Sequence, residues 1–259
     1  MTRPAHAVAI RNSARQSRLP VLHESGGFRY HSASEAWTPA IVRLLSESFA
    51  REPLAIAVGA SSYDLAFLIE RFMPECVGNG LSVVAVPHSD PAVLAGAFLC
   101  RDFKAPLPEG LFEELPWFAP IGQALMTVGD AYEANRPGLN IGEAVDLWLV
   151  GTDARFARRG VARRMFRVCA ELARETGFSR CVSECTGRYS QRAAEQAGFR
   201  EMARVDYRDF RFEGEPVFVN VPAPHTHLAF YERVLENRAR GRQKRRHCVL
   251  PAPHVAKGA

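Results

Sequence analysis

The segment from Leu147 to Arg164, Leu-Trp-Leu-Val-Gly-Thr-Asp-Ala-Arg-Phe-Ala-Arg-Arg-Gly-Val-Ala-Arg-Arg, leaves the surrounding fold little freedom. An apolar strand runs into a short basic loop, and Gly160-Val161-Ala162 then opens an amphipathic helix. Val161, Met165, Val168, Cys169 and Leu172 recur at offsets of 0, 4, 7, 8 and 11, which makes one apolar stripe at the helical period. Arg163, Arg164, Arg167 and Arg174 fall off that stripe, and Gly177 supplies a C-terminal stop. Strand, basic loop and helix N-terminus together form an anion cradle. Free backbone N–H groups and the positive end of the helix dipole face the loop, and small residues let a phosphate come close.

Two familiar phosphate motifs do not fit. A P-loop carries Lys-Ser/Thr after its last glycine, whereas Val161-Ala162 follows Gly160. A dinucleotide fingerprint needs a three-glycine spacing that this stretch lacks. Taken alone, the segment leaves two readings open: an ordinary helix start with a solvated basic face, or a cradle for another phosphate compound.

The loop resembles the pyrophosphate-binding motif of the GCN5-related N-acetyltransferases, Gln/Arg-x-x-Gly-x-Gly/Ala, through Gly160-Val161-Ala162. Ala157 stands where that motif has Gln or Arg, so the charge would come from Arg158, Arg159 and Arg163. The elements around the loop occur in the family's order. Phe178–Cys185 reads as a strand, Ser190–Gln196 as a short helix ending at Ala197-Gly198-Phe199, Glu201–Phe212 as a long strand, and Thr226–Val234 as the last strand. Upstream, Phe28–His31 reads as a first strand. Thr38-Pro39 starts a helix through Phe49, Tyr63–Met73 forms a second helix, and Leu81–Val86 and Val93–Cys100 form two strands. The resemblance implies an α/β (α+β) fold: a central mixed sheet of six to seven strands flanked by helices and split between the fourth and fifth family strands.

Within that family, Phe49-Ala50-Arg51-Glu52-Pro53-Leu54 looks like the Phe-x-x-Glu-Pro-Leu signature of arylalkylamine-type members. Thr186 and Ser190 look like their pair of hydroxyl residues spaced four apart. The resemblance implies an acetyl-CoA-dependent N-acetyltransferase that transfers acetyl to the primary amine of a small molecule by direct attack on the thioester. An alkylamine is almost wholly protonated at neutral pH, so a cleft carboxylate must take its proton, and Glu52 is the candidate base. A bulge around Val150, Gly151 and Thr152 is expected to aim backbone N–H groups at the carbonyl oxygen, and Ser190 or Thr186 would protonate the leaving sulfur. The pyrophosphate would lie at Arg158, Arg159, Gly160, Val161, Ala162 and Arg163. Many family members carry a tyrosine four residues before the Gly of the Gly-Phe turn; here that residue is Ala194.

Each catalytic candidate also has an ordinary role open to it. Glu52 reads as a solvated carboxylate at a helix end with Pro53 marking the exit, Ser190 as a helix N-cap, and Thr186 as a strand-end residue. Glu184 would line the cleft as a second carboxylate, although nothing singles it out. His225 and His227 stand at i, i+2 without a Cys or carboxylate at ligand spacing, so they read as structural and no metal is expected.

The long connection over residues 101–142 is expected to add helical turns near the cleft, with Phe112, Trp117, Phe118 and Met126 suited to an apolar or aromatic amine. With 259 residues, 47% of them hydrophobic, the chain can bury a full core. The expected division is a basic arm over residues 1–27, one acetyltransferase domain over 28–236 and a basic tail over 237–259. The net charge of +5 is a local matter: Arg238, Arg240, Arg242, Lys244, Arg245 and Arg246 supply +6, leaving the remainder near −1.

That tail raises a second class of function, contact with nucleic acid or an acidic partner, but it has no interleaved aromatics and nucleic acid is not expected. A third class is an acyl-CoA-binding sensor or pseudo-enzyme, suggested by Ala157 and Ala194. Six cysteines without a Cys-x-x-Cys pair read as reduced thiols of a cytoplasmic protein. No stretch reaches the length of a membrane span, so no membrane partner is expected, and a homodimer stays open.

Overall fold

A computed structural model describes residues 20–136 and 138–236. Eight strands form one sheet: β1 (Val21–Ser25), β2 (Phe28–Ser32), β3 (Val83–Pro87), β4 (Gly96–Asp102), β5 (Ala144–Thr152), β6 (Arg180–Cys185), β7 (Arg200–Asp206) and β8 (His227–Val234). Their order in space is β1-β2-β3-β4-β5-β6-β8-β7. All neighbours pair antiparallel except β5 and β6, which run parallel. The α-helices are α1 (Thr38–Phe49), α2 (Pro53–Val58), α3 (Ser62–Gly78), α4 (Leu111–Glu114), α5 (Ala119–Ala134), α6 (Val161–Thr176) and α7 (Arg188–Gln196).

The sheet separates two cores. On one face α6 lays Val161, Met165, Val168 and Cys169, each at most 4% exposed, against Phe98, Leu147 and Tyr231. Each such side chain contributes roughly 1.5–3 kcal/mol by leaving water. On the other face α1, α3 and α5 pack Leu45, Phe72 and Val128 over Val84, Leu99 and Val182. Two glycines fix the spacing where helices close on the strands. A Cβ at Gly96 would stand 2.9 Å from the Met165 side chain, and one at Gly151 would stand 2.7 Å from Leu45. A side chain at either position would force these packed neighbours to shift.

Several sequence-based expectations need correction. The count of six to seven strands rises to eight because Val21–Ser25, assigned to the basic arm of residues 1–27, pairs with β2 as a hairpin. Gly26 and Gly27, with φ of 63° and 82°, make its two-residue turn, a conformation other residues resist. The strand expected over Glu201–Phe212 stops at Asp206, because the chain turns there: the Asp209 and Phe210 N–H groups donate back to the Asp206 carbonyl, and Tyr207 and Phe210 bury in the core. Pro53 does not end a helix; it occupies the first turn of α2, where its missing N–H costs nothing. The helix expected to end at Met73 continues past Pro74 to Gly78 and buries Cys76.

The bulge in β5 also lies elsewhere than expected. Leu99 faces Leu149 while Cys100 faces Leu147, so the extra residue is Trp148; Val150, Gly151 and Thr152 sit in regular register with Phe98, Ala97 and Gly96. A bulge bends its strand and increases the local twist. Accordingly β5 pairs with β6 only over Ala144–Asp146, and beyond Asp146 the two parallel strands part. The sheet thus opens into a cleft between β5 and β6, the split expected from the resemblance.

Candidate active site

The lower end of the cleft is the basic loop. Asp153 caps a short 3-10 turn over Ala154–Phe156 by accepting from the Arg155 N–H, and the chain then enters α6 through Arg158 and Gly160. Both residues lie in the left-handed region, at φ 60° and 76°. For Arg158 that conformation costs about 1–2 kcal/mol, because its Cβ approaches the carbonyl oxygen. Strain of this kind persists where the surrounding structure demands it. Gly160 offers no side-chain cap to α6, leaving the helix N-terminus with unmatched N–H groups.

Arginines crowd this point. Arg155 is paired with Asp153, but Arg158, Arg159, Arg163 and Arg164 form no ion pair with any described carboxylate. Arg159 instead stacks 4.7 Å from the Phe28 ring centre. The Nε atoms of Arg163 and Arg164 are buried without a hydrogen-bond partner. A helix N-terminus with unpaired cations and orphaned donors has the chemistry of a site for a phosphate compound.

The upper end is a cavity of about 280 Å³ between β5, β6, α1–α2 and α5. Trp117, Phe118, Trp148 and Leu125 supply apolar walls, and Glu52, Glu184 and Thr186 supply oxygen atoms. Glu52 is the N-cap of α2 and accepts from the Leu54 N–H at 2.9 Å. The Thr186 hydroxyl donates to its other carboxylate oxygen, across 134 residues of sequence. Tyr207 donates its hydroxyl to the Thr186 carbonyl and so holds the end of β6 in place.

Burial outweighs these hydrogen bonds and pushes the Glu52 carboxyl from 4.5 up to about 7. Although nearly enclosed by protein, Glu52 keeps some contact with solvent through the cavity it lines. It therefore changes charge near neutral pH, as suits a general base.

Ser190 lies within α7, not before it: its hydroxyl donates to the Gly187 carbonyl at 2.8 Å. It still lines the cavity, as does Val150. Thr152 lies outside this cavity, on a wider groove of about 500 Å³ with Arg51 and Arg155. The structure thus brings Glu52, Thr186 and Ser190 to one cavity beside Trp148–Val150, and sets Arg158–Arg163 past the C-terminal end of β5.

His225 and His227 do not share a strand face. His227 begins β8, whereas His225 stands in the preceding loop, lines the cavity and accepts from the Arg188 N–H. Trp148, Tyr189 and Tyr207 carry no site expectation from the sequence, and His225 reads there as structural. Trp148 alone carried a signal, as a bulky aromatic in the strand that leads to the basic loop. Phe112 and Met126 line a second chamber, taken up below.

No protein-family model matches the chain. Among solved structures, it is similar to arylalkylamine N-acetyltransferase 2 from Aedes aegypti, with 20% identity and a TM-score of 0.69 over 81% of this chain and 99% of that one. A polyamine N-acetyltransferase from Drosophila melanogaster matches with 20% identity and a TM-score of 0.64, over 80% of this chain and all of the other. The fold is that of the GCN5-related N-acetyltransferases. The same N-acetyltransferase fold appears in the C-terminal condensation domain of Ebony, in complex with β-alanyl-dopamine, at 14% identity and a TM-score of 0.68 over 80% of this chain and 98% of that one. Similarity at this level establishes the N-acetyltransferase fold and leaves the reaction to be argued from the site.

Among the described residues, no group of three or more His, Cys, Asp or Glu could hold a metal ion, and no helix is long and apolar enough to cross a membrane. The basic run Arg238–Arg246 and Cys248 lie outside the described residues, as do Arg3, Arg11, Arg15 and Arg18.

Proposed function

We propose that this chain transfers acetyl from acetyl-CoA to the primary amine of a small molecule, with Glu52 as general base. One observation carries the reading. A carboxylate poised near neutral pH lines a cavity along the free edge of β5, and an unpaired arginine cluster stands where that edge ends. Acetyl-CoA, the co-substrate, has a pyrophosphate at one end and a reactive thioester at the other. Arg158, Arg159 and Arg163, with the N–H groups of Gly160, Val161 and Ala162, hold the pyrophosphate. Beyond Asp146 the edge of β5, through Val150, Gly151 and Thr152, is unpaired and accepts the pantetheine arm as an added strand.

Glu52 takes the proton from the acceptor's ammonium, and the neutral amine attacks the thioester carbonyl. Backbone N–H groups of the cleft-facing edge of β5, next to the Trp148 bulge, stabilise the charge that develops on the carbonyl oxygen. Thr186 orients the Glu52 carboxylate, and the Ser190 hydroxyl, which lines the same cavity, returns a proton to the leaving sulfur. Acceptor specificity falls to the apolar walls given by Trp117, Phe118 and Trp148.

Release of free thiol from acetyl-CoA in the presence of a panel of primary amines tests this directly, alongside calorimetric titration of coenzyme A. Coenzyme binding together with amine-dependent thiol release is the expected result. Tight coenzyme binding with no release on any amine would replace this reading with that of an acyl-CoA sensor.

A further inference from the structure

Beside the cavity that holds Glu52 lies a second chamber of about 210 Å³, and Phe118, Leu125, Trp148 and Glu184 line both. Its aromatic wall is layered: Arg101 stacks on Phe72 at 5.3 Å, and Phe72 packs on Trp148 with ring centres 4.0 Å apart. Asp146 lines the chamber, is only 4% exposed, and its Oδ1 is buried without a hydrogen-bond partner. Glu184 borders it from β6, close to Gly129 of α5. Neither carboxyl receives a hydrogen bond or ion pair from a described residue.

The local cations are already committed. Arg101 donates to Glu75 and to the Ala105 and Pro106 carbonyls, and Lys104 pairs with Glu133 at 2.9 Å. Two carboxyls without a hydrogen-bond partner against an aromatic wall are costly. Burial pushes both toward the protonated form, Asp146 up to about 7 and Glu184 well above the usual carboxylate range with the Asp146 charge adding to it, while the Arg101 guanidinium opposes the shift in each. A cation entering the chamber would ionise them and supply the donors they lack, while its face meets the aromatic rings. An apolar or neutral aromatic group would leave them unsatisfied.

We propose that this inner chamber binds a second cationic group of the acceptor, an ammonium or guanidinium held between Asp146 and Glu184, while the reacting amine lies against Glu52. This rests on the acetyltransferase reading and narrows its acceptor to short aliphatic diamines and aminoalkylguanidines. The spacing suits such molecules. Glu184 stands two residues before Thr186 on the same side of the β6 chain, a rise of about 7 Å.

The test compares putrescine and agmatine with butylamine and phenethylamine, which lack the second cation, as acceptors for the full chain. The expected kcat/KM for putrescine exceeds that for butylamine by about tenfold or more, mainly through KM. In Glu184→Gln and Asp146→Asn that ratio falls toward unity. A wild-type ratio at or below unity, with butylamine acetylated, overturns the chamber proposal and leaves the acetyltransferase reading standing. If no amine is acetylated, the acetyltransferase reading fails, and calorimetric titration with putrescine decides the chamber. Binding that is lost in the Asp146→Asn/Glu184→Gln double variant supports it, and absence of binding overturns it.

Discussion

The basic loop and the Glu52 cavity lie along one strand, the loop just past Thr152 and the cavity against Trp148–Val150, and are built in opposite ways. The loop is local: Asp153 through Arg164 lie within one turn-and-helix unit, and most of its ligand-facing groups are backbone N–H or arginine. The cavity is assembled from distant segments, with Glu52, Trp117, Trp148, Thr186 and His225 all contributing. The loop is left strained and electrically unpaired, at Arg158 and at the Nε atoms of Arg163 and Arg164. The cavity instead stores its reactivity as a buried carboxyl. A phosphate site needs charge and open N–H groups, which a short stretch can supply. A base poised near neutrality needs dehydration, which takes several layers of protein.

The contrast predicts separable effects. Largest, Glu52→Gln should lower kcat by about 10²–10⁴-fold. Calorimetric coenzyme A affinity should stay unchanged; a parallel loss of affinity would mean that the two ends are not independent. Next, Gly160→Glu should weaken coenzyme A binding by about 100-fold, or about 2.7 kcal/mol, because it sets a carboxylate on a left-handed residue in the cradle. Intact affinity would remove the cradle from the cofactor site.

A smaller effect should come from the Glu52–Thr186 bond. In the wild type, kcat/KM should rise with pH through about 7 as Glu52 ionises. The Thr186 hydroxyl holds that carboxyl down, so Thr186→Val should move the rising limb to higher pH and cost about tenfold or less at neutral pH. An unmoved limb would assign the titration to another group.

The smallest effect is on stability. The folded state holds the Glu52 proton more tightly than the unfolded chain, so stability is greatest below about 4.5 and falls as pH rises through about 7. The ionised carboxylate costs about 1–3 kcal/mol at higher pH. Glu52→Gln should therefore raise Tm near pH 8 and leave it unaltered near pH 4, as read by thermal unfolding. An equal Tm at both values would show that burial does not perturb Glu52.

The amphipathic stripe of α6 and the Gly177 stop were legible because a period of 3.6 residues and a left-handed C-cap are local properties. The hairpin of β1 and β2 turns at Gly26-Gly27, but Val21–Ser25 is largely exposed and lacks the apolar–polar alternation that marks a strand in sequence. Glu52 was found through a motif, but its environment was not. Beside Pro53 it reads as a solvated helix end, and only the closure of β6, α2 and α5 around it withdraws its carboxyl from water. Asp146 illustrates the limit most clearly. In the sequence it is one acidic residue in an apolar strand, and its lack of a partner exists only once Arg101 has been taken by Glu75.

By itself the sequence determined the order of elements, the helix that caps the cradle and the position of its arginines, since all follow from spacing along the chain. Tertiary structure alone decided that β5 bulges at Trp148, that the sheet parts beyond Asp146, and that Glu52, Asp146 and Glu184 are among the residues lining two adjoining cavities. Dehydration and charge pairing depend on neighbours from across the fold.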